Sequence, residues 1–142
     1  RVKKIIMPKT SAQIFATGTK FPACELDLSH IATDLNFRDA DLSHVTKLTM
    51  PLGVHRIFME GAIFPACELD FSKVTGTLEL RNADLSRVKK LILPKNQSNV
   101  DLEGAKLPKS FIFESATKNI LQQPNTTQGI QNVQNTNDTY AR

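Results

Sequence analysis

A chain of 142 residues, 40% hydrophobic and carrying a net charge of +4, suits one ordinary domain or one short repeat array and is too small for two sizeable cores. Nowhere do about 20 apolar residues run together, so no membrane span is expected, and the opening Arg1-Val2-Lys3-Lys4 lacks the apolar stretch of a signal peptide. With no Trp, a single Tyr and acids interleaved among the bases, the composition lacks the stacking platforms of a nucleic-acid binder.

The first segment, Val2-Lys-Lys-Ile-Ile-Met-Pro8, is the first of three copies. It recurs as Val45-Thr-Lys-Leu-Thr-Met-Pro51 and Val88-Lys-Lys-Leu-Ile-Leu-Pro94, a shift of 43. Phe21-Pro-Ala-Cys-Glu-Leu-Asp27 returns intact as Phe64-Pro-Ala-Cys-Glu-Leu-Asp70 at the same shift. The unit also halves: starts at Ile14, Leu35, Ile57, Leu78 and Val100 are spaced 21, 22, 21 and 22 residues apart. A repeat of this length is one coil of a stacked array. Because the chain enters repeat sequence at Val2 without a Met, it is expected to be a piece of a longer protein.

Short runs such as Leu78-Glu-Leu80 alternate apolar and polar side chains, the period of a strand with one buried face, and no run keeps a 3.6 period long enough for a helix. Stacked in register, the coils give four inward columns. These read Ile14, Leu35, Ile57, Leu78, Val100; Ala16, Phe37, Met59, Leu80, Leu102; Thr19, Ala40, Ala62, Ala83, Ala105; and Phe21, Leu42, Phe64, Leu85, Leu107. Beside the second column lie Thr17, Arg38, Glu60, Arg81 and Glu103, which place opposite charges on neighbouring coils about 4.8 Å apart. Next come Gly18, Asp39, Gly61, Asn82 and Gly104, all residue types that tolerate positive φ, so a tight structural corner is expected there. The expected fold is therefore an all-β, right-handed parallel β-solenoid of about five coils with a 43-residue double-coil repeat over residues 1–116. Residues 117–142, rich in Asn, Gln and Thr, are expected to be a disordered tail or linker.

Ala40-Asp-Leu-Ser-His44 and Ala83-Asp-Leu-Ser-Arg87 resemble the A(D/N)LxX unit of the pentapeptide-repeat proteins, a family of right-handed quadrilateral β-solenoids. The resemblance covers residues 14–110 and implies an inward Leu or Phe with a small residue two positions earlier, as in Ala83/Leu85, Ala62/Phe64 and Ala105/Leu107. Some members mimic DNA with an acidic surface, a role that this basic chain does not suit. A leucine-rich repeat is the rival, since Leu78-x-Leu80-x-x-Ala83-x-Leu85 matches its pattern except that Thr or Ala stands in place of the Asn ladder.

No catalytic signature is present: there is no HExxH, CxxC or nucleophile elbow, and neither cofactor nor metal is expected. Cys24 and Cys67 are equivalent residues two coils apart, about 9.6 Å, too far for a disulfide, and share a column with Val45 and Val88 as small buried hydrophobes. His30 and His44 stand where later copies have Lys73 and Arg87, which marks a solvated surface; His55 completes the histidines. Lys4, Lys47 and Lys90 recur every 43 residues and define a candidate anion-binding stripe. The expected function is a non-catalytic scaffold for an unidentified protein partner, with a bacterial effector or surface protein as the setting. The alternatives are anion binding through the basic stripe, or a carbohydrate-active β-helix using Asp27, Asp41, Asp70 and Asp84. The molecule is expected to be a monomer or to associate end to end through its open coil edges.

Overall fold

The computed structural model describes residues 3–10, 12–53, 56–109 and 111–113; Val2, His55 and the expected tail at 117–142 lie outside the described residues. Strands are short because apolar and polar side chains alternate for only a few positions before a turn former intervenes. In chain order they are β1 (Lys4–Ile6), β2 (Ile14–Phe15), β3 (Glu25–Asp27), β4 (Leu35–Asn36), β5 (Lys47–Thr49), β6 (Arg56–Phe58), β7 (Glu68–Asp70), β8 (Thr77–Glu79), β9 (Lys90–Leu93), β10 (Val100–Asp101) and β11 (Phe111–Phe113). No α-helix occurs among the described residues; a 3-10 turn spans Gln97–Asn99.

Neighbouring strands in space are never neighbours in sequence. The long sheet has the order β10-β8-β6-β4-β2, with every pair parallel, and its register stacks Ile14, Leu35, Ile57, Leu78 and Val100. Each step along it is one circuit of the chain, so the molecule is an all-β parallel solenoid. Its five strands bound about four turns, one fewer than the five coils expected from the starts, because the first and last starts open and close the same stack. A second face carries two three-stranded sheets, β1-β3-β5 and β11-β9-β7. The third is joined by single parallel bridges that run Lys20, Asp41, Ile63, Asp84, Lys106.

The inward columns fill the interior. Leu35, Ile57 and Leu78, then Phe37, Met59 and Leu80, then Ala40, Ala62 and Ala83 are all fully buried, while Ile14, Val100, Leu102 and Ala105 pack against them from the ends, partly covered. The rings of Phe21 and Phe37 stack with centroids 5.5 Å apart, and Phe64 meets Phe71 edge-on at 6.5 Å.

That corner is a β-turn in each coil. The amides of Thr19, Ala40, Ala62, Ala83 and Ala105 donate to the carbonyls of Ala16, Phe37, Met59, Leu80 and Leu102. The third residue of each turn has positive φ: +70° at Gly18, +56° at Asp39, +71° at Gly61, +59° at Asn82 and +72° at Gly104. These same residues bond between coils, as where Asp39 N–H donates to the Glu60 carbonyl at 2.8 Å.

Candidate functional site

Register decides what the basic stripe is. Lys4 pairs with Glu25 and Glu25 with Lys47 along β1-β3-β5, and Glu68 pairs with Lys90 along β7-β9. The column therefore alternates in sign, with a glutamate in each intervening coil. Lys4 Nζ lies 3.9 Å from Glu25 Oε1, and both side chains are half exposed. The three lysines are on one face, but the structure does not bring them next to each other. This alternation was readable in the sequence by sliding the stripe half a repeat.

The outward face of the long sheet concentrates more chemistry. Asp34, the single buried charged side chain among the described residues, sits between Gln13 and Arg56. Arg56 grips its Oδ2 through Nε at 2.9 Å and a terminal nitrogen at 2.5 Å, and Gln13 donates from the other side at 3.3 Å. Phe58 lies beneath two guanidiniums, with Arg38 Cζ 4.5 Å and Arg56 Cζ 5.6 Å from its ring centroid. Arg38 Nε also donates to Glu60, and Arg81 pairs with both Asp101, at 2.9 Å, and Glu103.

Within this lattice one carboxyl stands out. Burial, and then the facing Glu60 and Asp101 carboxylates, push the Glu79 acid above its ordinary range, with Arg38 opposing them. Glu60 Oε2 is enclosed and accepts no hydrogen bond among the described residues. The Glu60 and Glu79 carboxyls face each other between neighbouring coils, and Arg38 pairs with Glu60 beside them. The sequence reading missed this pair because Glu60 and Glu79 stand in different columns, and only the diagonal across β6 and β8 joins them.

Asp27, Asp41, Asp70 and Asp84 accept hydrogen bonds from the backbone N–H of the serine two residues on, at 2.8 to 3.0 Å. For Asp41 and Asp84 the serine hydroxyl also donates, at 2.6 Å. The serine side chains and backbone amides hold Asp27, Asp41 and Asp84 below the usual carboxylate range. Each of these acids thus caps its own turn. Cys24 and Cys67 are buried free thiols, and burial raises both above the ordinary thiol value, away from the reactive thiolate. His30 and His44 are exposed.

Comparison with protein-family models, with curated proteins and with solved structures finds no match for it. Among the described residues no group of three or more His, Cys, Asp or Glu is placed to hold a metal, and no helix is long and apolar enough to cross a membrane.

Proposed function

We propose that the solenoid is a rigid, non-catalytic surface for a protein partner, with the outward face of the long sheet as the contact. The observation that supports this most is the cluster of Phe58, Arg38 and Arg56, held by ion pairs to Glu60 and Asp34, on the same face as Phe15, which is 66% exposed. Aromatic side chains and arginine are the types that anchor protein interfaces, and groups already fixed on strands lose little freedom on binding. Kinship with the pentapeptide-repeat proteins belongs to the same reading. It is supported by the inward Ala and Leu or Phe pairs and by the corner turns that precede them.

The test is capture of partners on immobilised protein at low and moderate salt, comparing the parent with a Phe15→Ser/Phe58→Ser double variant and a Lys4→Ala/Lys47→Ala/Lys90→Ala triple variant. The proposal expects a partner that survives moderate salt, is lost with the two phenylalanines and is kept by the lysine variant. Capture that disappears with salt and with the lysines, while ignoring the phenylalanines, would replace this reading with the anion-binding stripe.

A further inference from the structure

Between the third and fourth turns, on the side where the loops after β7 and β9 stack, a cavity of about 400 Å³ opens. This lies toward the lower end of the range for small-molecule sites, about 300–1,000 Å³. The buried side chains of Val74 and Pro94 contribute apolar wall, and Ser72, Asn96 and Asn99 contribute polar wall. Two lysines, Lys73 and Lys95, border it, and neither Asp nor Glu is among its lining residues. The carboxylate that reaches this loop, Asp70, is already engaged by the Ser72 N–H at 2.8 Å.

Comparison of the two double coils shows that this chemistry is not demanded by the fold. The positions of Lys73, Lys95 and Asn96 are held in the first double coil by His30, Leu52 and Gly53, 43 residues earlier. At the neighbouring column, Arg56 closes over Asp34 in the first unit, whereas the equivalents in the second are the shorter, neutral Asn99 and Thr77. Inward columns keep their residue type from coil to coil because packing requires it. Here the outward residues change together, replacing an ion pair with neutral residues and adding two lysines beside the opening.

We propose that this cavity binds a small molecule bearing an oxyanion, a phosphate or its ester. The two ammonium groups supply the charge, the Ser72 and Asn96 side chains lie within the same wall as hydrogen-bonding groups, and Val74 and Pro94 offer an apolar surface to the body of an ester. This site lies apart from the long-sheet face and stands or falls independently of the partner-binding reading.

The experiment is a 1H–15N NMR titration of the full chain with inorganic phosphate and with glucose 6-phosphate, using glucose as the uncharged control. Saturable shifts of the Ser72–Gly76 and Lys95–Asn99 amides are expected with one or both phosphates and not with glucose. In a Lys73→Gln/Lys95→Gln variant the dissociation constant should rise at least about tenfold, while Lys20→Gln, on another face, should leave it unchanged. Both lysines are exposed, so the variant should keep the parent spectrum elsewhere. Tighter binding of the ester than of phosphate would show that the apolar wall is used; equal binding would make the anion the whole ligand. Shifts that never saturate, that appear equally with glucose, or that survive the double lysine variant would overturn the proposal.

Discussion

At the corner after the long sheet, one oxygen of the preceding coil bears on the choice of glycine at two positions. A Cβ added to Gly61 would run into Asp39 Oδ1, and one added to Gly104 would run into Asn82 Oδ1. At Gly61 and Gly104 the side chain of one coil occupies the place where the next would put its own, which favours Gly there beside the positive φ that the whole column shares. Gly61→Ala is therefore expected to cost about 1–2 kcal/mol, from positive φ and this contact together. Part of that cost should be recovered in an Asp39→Gly background, and denaturant unfolding of the four-member cycle measures the coupling. Strict additivity would remove the steric explanation. Turn acceptors give a second residue-level prediction: Asp41→Ala, which leaves the Ser43 N–H and hydroxyl without their acceptor, should cost about 1 kcal/mol by the same method. The sign with pH follows from the direction of the shifts. Asp27, Asp41 and Asp84 titrate lower folded than unfolded, so their stabilisation is present above the ordinary carboxylate value, about 3.9, and is lost as pH falls through their folded values.

Across the elements, Glu79 carries the opposite sign. Its acid titrates higher folded than unfolded, so stability is full below the ordinary Glu value and is lost as pH rises through the folded one. Glu79→Gln keeps the shape and a donor toward Glu60 while removing the charge. It should raise the melting temperature at pH 7 and leave it nearly unchanged at pH 4; a loss at pH 7 would contradict the carboxyl pair. In the core, Leu80→Asp places an unpaired charge at a fully buried position and is expected to abolish cooperative unfolding, whereas Lys47→Ala, on an exposed strand position, should stay within about 0.5 kcal/mol. The strands and inward columns were legible because burial repeats the same residue type at each turn, as Leu35, Ile57 and Leu78 do. The site chemistry was far less so. Asp34 with Arg56 is readable as one column, but Phe58 between Arg38 and Arg56, and Glu60 beside Glu79, depend on diagonals that periodicity does not encode.

For the whole molecule, stability is a sum of coil interfaces, and the column of Cys24, Val45, Cys67 and Val88 shows how tolerant each interface is of equivalent small side chains. Because valine already fills two of these positions, Cys24→Val/Cys67→Val should give a folded background free of thiols. The claim on which the rest depends is that successive circuits stack in register, one strand spacing apart. In that background, spin labels at Thr17 and Glu103, exposed members of one column four turns apart, measure it directly by pulsed electron resonance. The stack predicts a Cα separation of about 19 Å with a narrow distribution, allowing for the label arms. A broad distribution, or a distance about twice as long, would contradict the solenoid and with it every column named above.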